Sequence, residues 1–236
     1  MTVSPKNIFR FLVIIASAFL ITRFFPIFIS SATFNILPMV LVYSFLIGFL
    51  INRALDRKLG LKNSVAIELS RLRRLNHISE AIKDDAIHGN LKSAIIDYQN
   101  EVSKNFKLYI NAHEAFRKIT HIIYKWIPGN SHEEVLLNEF METSRDLALH
   151  RQNIRIYIER HLSPYSWLFM FTMTAFLASV ILIERASVLS SYIISSVNVA
   201  SVFLAIDFLH KIDKLNDDEL LTFQALYKNN NEAIQE

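Results

Sequence analysis

Apolar residues are concentrated in two blocks of the chain, from Ile8 to Ile51 and from Tyr165 to Leu209. The first block contains only two charged side chains, Arg10 and Arg23. Each block has room for two helices of about 20 residues, the length that crosses a hydrocarbon core of roughly 30 Å. The pattern therefore predicts four membrane spans in two hairpins. These spans lie near Phe9–Ile29, Phe34–Ile51, Tyr165–Ile183 and Val188–Leu209.

Polar residues mark the turns of both hairpins. A short stretch around Ser30, Ser31 and Thr33 joins the first two spans, and the charged pair Glu184-Arg185 separates the last two. The first block begins as a signal peptide does, but its apolar run continues well past a typical signal core and a second span follows. We therefore expect a retained span.

The segment between the two blocks has a helical pattern. Apolar residues recur at helical spacing along one stripe, and the strong breakers are Gly60, Gly89 and the Pro128-Gly129-Asn130 turn. Helices are expected near 61–87, 91–126 and 132–162, the first continuing the second span and the third capped by Ser131. The stripe consists of Val65, Leu69, Leu72, Leu75, Ile78 and Ile82.

This organisation gives an all-α membrane protein of four segments. They are a hairpin over 1–52, a cytoplasmic domain of long bundled helices over 53–163, a second hairpin over 164–209 and a cytoplasmic C-terminal tail over 210–236. Asp213, Asp217, Asp218 and Glu219 are expected at the solvated start of a helix. On the fourth span, Ser195, Ser196, Asn198 and Ser201 form a polar stripe expected to bond between helices.

Basic residues indicate how the chain is oriented. Of 25 Lys and Arg, 18 lie between Arg53 and Arg160, where they accompany 14 acidic residues. The positive-inside rule places this segment and both termini in the cytoplasm. We therefore expect a multi-pass membrane protein, surrounded by lipid. The basic excess is too small to indicate nucleic-acid binding.

Composition excludes several kinds of chemistry. Hydrophobic residues make up 52% of the chain, mean hydropathy is +0.26, and there is no cysteine for a disulfide or a thiolate. No two of the eight His have HExxH spacing, and four Gly are too few for a phosphate-binding loop. No pair of acidic residues lies in apolar surroundings, as acid–base catalysis would need. The sequence predicts neither an enzyme nor a metal or cofactor site.

The second span carries a family resemblance. Its residues 44–49 read Ser-Phe-Leu-Ile-Gly-Phe, and residues 52–57 read Asn-Arg-Ala-Leu-Asp-Arg. This stretch resembles the bestrophin family, whose second span has a Ser-Phe-x-x-Gly-Phe core followed in bacterial members by a similar Asn-x-Ala-Tyr-Asp-Arg. The hairpin–helices–hairpin plan also resembles that family's subunit. Lys58 and Leu59 stand where the family has paired tryptophans, so the membrane anchor differs.

The resemblance implies an ion channel that conducts passively and without a cofactor. Its likeness to the bacterial members implies a bacterial inner membrane. Bestrophins are pentamers, anion-selective in animals, where they act as chloride channels, and sometimes cation-selective in bacteria. Their second span lines the pore and forms an apolar neck. Carried over, Leu41, Phe45 and Phe49 form that neck, while Ser44 and Gly48 allow close helix packing beside it. The spacing of 41, 45 and 49 independently places them on one stripe of a helix.

Two alternatives remain from the sequence. Phenylalanine in a membrane span commonly faces lipid or a neighbouring helix, so the stripe alone does not define a pore. The chain could also be a non-conducting membrane scaffold or sensor whose cytoplasmic helices bind a partner. A channel needs ring symmetry and an axial path, whereas a scaffold needs neither.

Overall fold

A computed structural model describes residues 5–25, 37–82, 84–183 and 189–235, and helices account for nearly all of them. A 3-10 segment, Phe106–Ala112, lies between the third and fourth helices. The hairpin turn near Ser30 and the break at Glu184-Arg185 lie outside the described residues. The α-helices are α1 (Pro5–Phe24), α2 (Leu37–Glu80), α3 (Asp85–Lys104), α4 (His113–Lys125), α5 (Ser131–Glu159), α6 (Pro164–Ile183), α7 (Leu189–Asp213) and α8 (Asp217–Gln235).

The chain divides into two compact units. The span unit comprises Met1–Leu55 and Leu162–Lys214, and the bundle unit comprises Asp56–His161 and Leu215–Glu236. Helix α2 contributes residues to both units as one continuous helix of 44 residues. No proline lies inside it after its first turn, which is why the second span was expected to continue as a helix.

The span unit packs α1, α6 and α7 with the first half of α2. Its core includes Ala18, Ile47, Met170 and Val199. Within the described residues, stretches long and apolar enough to cross a membrane lie in Leu37–Glu80, Ser131–Ile183 and Leu189–Gln235. These contain the third predicted span and overlap the second and fourth, whose first residues lie outside the described part of the chain. The first predicted span overlaps α1 and extends beyond the described residues, so the count of four stays a prediction.

The bundle unit has a continuous apolar core. The predicted stripe from Val65 to Ile82 is buried in this core, as intramolecular packing would require. Opposite it lie apolar residues of α3, α4, α5 and α8, among them Ile95, Ile119 and Phe140. The C-terminal segment from Asp217 is therefore a helix whose Phe223 and Tyr227 are buried in this core.

Three helix boundaries differ from those predicted. Helix α2 ends at Glu80 and α3 begins at Asp85, because Asp84 caps α3 by accepting hydrogen bonds from the backbone N–H groups of Ala86 and Ile87. Gly89 lies inside α3, since one glycine costs a helix only about 1 kcal/mol. The expected helix 91–126 is interrupted at Asn105, whose side chain accepts from Lys107 N–H and starts the 3-10 segment.

The cap of α5 was assigned to the wrong residue. Asn130, not Ser131, is the N-cap, and its side-chain oxygen accepts from the backbone N–H of Glu133 at 2.9 Å. The Asn130 amide in turn donates to the Glu133 carboxylate at 2.9 Å. This reciprocal pair favours Asn130, because asparagine with extended backbone is among the strongest N-cap residues.

Candidate functional site

The predicted neck residues share an exposed face of α2. Leu41, Phe45 and Phe49 have 61%, 74% and 57% of their surface exposed in the single chain. The opposite face is packed within the span unit: Tyr43 is buried, and its hydroxyl donates to the Val202 carbonyl at 3.2 Å. The structure thus places the three side chains on one stripe, and their role as a neck stays a prediction.

Ser44 and Gly48 border a groove rather than a packed contact. The groove has a volume of about 670 Å³ and lies between α2, α6 and α7, with Asn198 on its far wall. A Cβ added at Gly48 would meet no atom within 4 Å. Among the described residues no second helix lies against Gly48, and the close helix packing at Ser44 and Gly48 stays a prediction.

The polar stripe of α7 makes bonds of a different kind from those expected. Ser196 and Ser201 each donate to the backbone carbonyl four residues earlier in α7, at 2.8 and 2.9 Å. Such bonds within one helix satisfy a hydroxyl in apolar surroundings without a second helix. Among the described residues, neither serine bonds to a second helix, which differs from the expectation for these two side chains.

A second candidate site lies inside the bundle unit, around Glu68 of α2. Glu68 has no exposed surface, and three tyrosine hydroxyls converge on its carboxylate. Tyr109 and Tyr227 donate to Oε2 at 2.6 and 2.7 Å, and Tyr98 donates to Oε1. The Tyr98 and Tyr109 hydroxyls are 3.1 Å apart. The donors come from α3, the 3-10 segment and α8, so one carboxylate ties α2 to three other elements.

Arg151 of α5 completes this group, hereafter the Glu68 cluster (Glu68, Tyr98, Tyr109, Tyr227 and Arg151). Its guanidinium carbon lies 5.1 and 5.0 Å from the ring centres of Tyr98 and Tyr109. Only 9% of Arg151 is exposed. A buried cation over aromatic rings is stabilised by the negative faces of the rings. Its positive charge also favours the ionised form of a nearby carboxyl group.

Burial dominates the electrostatics of the Glu68 cluster. It raises the pKa of Glu68, and the tyrosine hydrogen bonds and the charge of Arg151 offset this only in part. Burial, together with the Glu68 charge, also raises the pKa values of Tyr98, Tyr109 and Tyr227 well above the ordinary 10. The tyrosines therefore remain protonated donors. Because no solvent reaches Glu68, the arrangement suits a structural polar network and not a base that meets a substrate.

Sequence reasoning missed the Glu68 cluster because it looked for pairs of acids. One signal was present: Glu68 falls in the register of the apolar stripe, three residues after Val65 and four before Leu72. A lone carboxylate at a core position needs partners. Its partners are 30 to 159 residues away in the chain, so no local pattern identifies them.

The expectation for Asp213 was wrong. Asp213 is buried at the end of α7, where its carboxylate accepts from the backbone N–H of Leu162 at 3.0 Å and from the Trp167 indole at 3.3 Å. These donors stabilise the buried carboxylate in place of water. Asp217 does begin a helix, α8, with an exposed side chain. Among the described residues, no three His, Asp or Glu side chains are grouped to hold a metal ion.

Long apolar helices with exposed apolar faces define the chain as a helical integral membrane protein. The sequence profile of the Bestrophin-like domain matches residues 32–213, most of the chain. The protein belongs to the bestrophin-like family, which confirms the resemblance seen in the second span. A search of curated proteins gave no significant match.

Two solved structures share the fold. One is a crystal structure of a point mutant of a bacterial bestrophin homologue from Klebsiella pneumoniae, with a TM-score of 0.70 over 97% of this chain and 98% of that chain, at 8% identity. The other is a crystal structure of a point mutant of a membrane protein, with a TM-score of 0.70 over 98% of both chains, at 10% identity. At such low identity, these likenesses establish the fold alone.

Proposed function

We propose that the protein is one subunit of an oligomeric ion channel, in which α2 lines a central pore and Leu41, Phe45 and Phe49 form its neck. The observation that carries the proposal is the exposed apolar stripe on α2 in a member of the bestrophin-like family. Large apolar side chains on a helix in a membrane face lipid, a neighbouring subunit or a pore. Membership of this family favours the pore.

The proposed assembly is a ring of five subunits with both termini in the cytoplasm. Five copies of the stripe would form three stacked apolar rings, and a narrow apolar constriction gates ion flow by dewetting. Ser44 and Gly48 lie beside the stripe with open space around them, which leaves room for a neighbouring α2 to approach. Conduction in this arrangement needs no catalytic group and no cofactor.

Ion flux from liposomes tests the neck. The purified full chain is reconstituted, and release of a small anion and a small cation is followed in parallel. We expect flux from the wild type and faster flux from Phe45→Ala and Phe49→Ala, because smaller rings widen and wet the constriction. Phe176→Ala is the matched control, since Phe176 is exposed to a similar extent (52%) but lies on α6.

The mass of the protein in detergent is measured for each variant, so that failed assembly is recognised. A closed oligomer that conducts neither ion, in the wild type or the variants, would contradict the channel and favour the scaffold. An equal gain of flux in Phe176→Ala would contradict the neck assignment. A clean monomer would contradict the ring.

A further inference from the structure

We propose that the span unit binds an anionic phospholipid in a groove between α1, α6 and α7, with the phosphodiester at Arg10 and one acyl chain along α1. This groove is separate from the predicted neck. It has a volume of about 530 Å³ and is open on one side. The binding it implies does not depend on whether the protein conducts ions.

The length of the groove matches one leaflet. Its α1 wall consists of Arg10, Ile14, Ser17 and Ile21, which fall on one face of the helix at successive turns. From Arg10 to Ile21 the helix rises about 16 Å at 1.5 Å per residue. The hydrocarbon core of a bilayer is roughly 30 Å thick, so the groove extends over about half of it.

The lining of the groove is polar at one end and mainly apolar along the rest, as the binding site of an amphiphile would be. Its polar end is formed by Arg10, Asp207 and His210. Away from that end the walls are mainly apolar, with Ile14 and Ile21 of α1, Phe171 of α6 and Phe203 of α7. Ser17 is the polar residue among them, and its hydroxyl donates to the Val13 carbonyl of its own helix at 2.7 Å. Water gains few hydrogen bonds along such walls, whereas an acyl chain makes dispersion contacts along their whole length. An unbranched chain is the most abundant molecule of that shape around a membrane helix.

Charge at the polar end favours an anionic headgroup. Asp207 forms ion pairs with both Arg10 and Lys211, the latter at 3.1 Å, so two cations share one carboxylate. Asp213 and Lys214 also lie near His210 in the wall and balance each other. One positive charge therefore remains at this end, and the Arg10 side chain is 49% exposed while that of Asp207 is 10% exposed. A phosphodiester carries the single negative charge that would balance it. Basic pockets between membrane helices bind anionic headgroups in this way.

Aromatic residues fix the depth of this end. Trp167 lies in the wall, and its ring centre is 5.6 Å from that of His210 in an edge-to-face arrangement. The Trp167 indole donates to Asp213 at 3.3 Å. Tryptophan with one polar and one apolar side settles at the level of the headgroups. The polar end of the groove is thus placed where a phosphodiester would be found.

Lipid binding to the detergent-purified full chain tests the proposal. Phosphatidylglycerol and phosphatidylcholine with the same acyl chains are compared by native mass spectrometry and by the shift in melting temperature. Glycerol phosphate alone serves as the headgroup without a chain. We expect phosphatidylglycerol to bind more tightly than phosphatidylcholine, and glycerol phosphate not to compete.

Three variants separate the contributions of charge and groove. Arg10→Gln is expected to weaken phosphatidylglycerol binding roughly fivefold, the effect of one basic residue near an anionic lipid, while Arg10→Lys retains most of it. Arg23→Gln, also on α1 but outside the groove, is the control and should change little. Ser17→Trp fills the groove and should weaken the binding of both lipids.

Four results would overturn the proposal. They are equal binding of the two lipids, equal losses in Arg10→Gln and Arg23→Gln, full competition by glycerol phosphate, and unchanged lipid binding in Ser17→Trp. A further variant, Ser17→Cys, introduces the only cysteine of the chain. Efficient disulfide cross-linking between two copies through it would show that a subunit covers the groove, which also contradicts a bound lipid.

Discussion

The two units of the protein differ in how much apolar surface they expose. Of 34 large apolar side chains that are exposed among the described residues, 25 belong to the span unit. The bundle unit has the other nine, buries most of its large apolar residues, and also buries Glu68 and Arg151. The first pattern is stable where lipid surrounds the helices, and the second requires that each buried charge has hydrogen-bonding partners.

Helix α2 carries both patterns in one continuous helix. Its first half exposes Phe45 and Phe49, and its second half buries Glu68 under three tyrosine hydroxyls. Both halves are helical, so helix formation does not explain why one half exposes phenylalanines and the other buries a carboxylate. The surroundings of each half decide which residue types are stable there, so substitutions in the two halves should have different consequences.

Glu68→Ala is expected to have the largest effect on stability. It removes the acceptor of three tyrosine hydroxyls and leaves the Arg151 cation buried without its carboxylate. Breaking a buried charged network in this way costs about 3–5 kcal/mol of unfolding free energy. Denaturant unfolding in detergent measures the loss. Glu101→Ala, at an exposed position of α3, is the control and should stay within about 0.5 kcal/mol.

The pH dependence of stability should also report on Glu68. Since burial raises its folded-state pKa above the ordinary 4.5, the folded state holds the proton to higher pH than the unfolded state. The contribution of Glu68 to the free energy of unfolding is therefore fully present below the ordinary pKa of 4.5 and is lost as pH rises through the raised folded-state pKa. The loss is at most about 1.4 kcal/mol per pH unit. Glu68→Gln lacks this group.

The free energy of unfolding of wild type and Glu68→Gln is compared across acidic to neutral pH. The difference should shift in favour of the glutamine variant as pH rises and become constant above the raised pKa. A difference that does not change with pH would mean that the pKa of Glu68 is the same in the folded and unfolded states.

Tyr227→Phe tests a single donor of the Glu68 cluster. It removes one hydroxyl and keeps the ring, so the loss should be about 1.5–3 kcal/mol, the typical contribution of one hydrogen bond to a charged group. Tyr124→Phe is the matched control because Tyr124 is 67% exposed, and it should have little effect. Equal melting temperatures for the two variants would mean that α8 is not held through Tyr227.

The two glycines of α2 give the smallest and most direct comparison. In Gly60→Ala the new Cβ would lie 2.5 Å from the Tyr157 ring, so the ring must move and stability should fall by about 1 kcal/mol. The new Cβ of Gly48→Ala would contact none of the described residues, and the higher helix propensity of alanine should add about 0.5–1 kcal/mol in an isolated subunit.

Melting temperatures of both variants are measured in monomeric and assembled preparations. If Gly48→Ala destabilises the assembled protein only, a neighbouring subunit approaches α2 at Gly48, as predicted for this position. If Gly60→Ala is neutral, the Tyr157 ring moves without cost. If Gly60→Ala is destabilising, the double variant Gly60→Ala/Tyr157→Leu should recover part of the lost stability, because the smaller side chain at 157 leaves room for the new Cβ.

The sequence by itself determined the membrane class, the helical middle segment, the continuity of α2 and the family. These follow from features that are local in the chain: long apolar runs, 3.6-residue periodicity, the absence of proline from most of α2, and the motif at residues 44–57. Periodicity also identified the buried stripe of the bundle unit, because the face that α2 buries is set by spacing alone.

Only the tertiary structure decided the Glu68 cluster, the burial of Asp213 and the groove beside Arg10. The Glu68 cluster joins residues of α2, α3, α5 and α8 with the 3-10 segment, and Asp213 meets Leu162 from 51 residues away. Whether a charged side chain is solvated or buried depends on which distant segments pack over it. A local pattern contains no information about those partners, so the polar networks of this protein appear only when its helices are brought together.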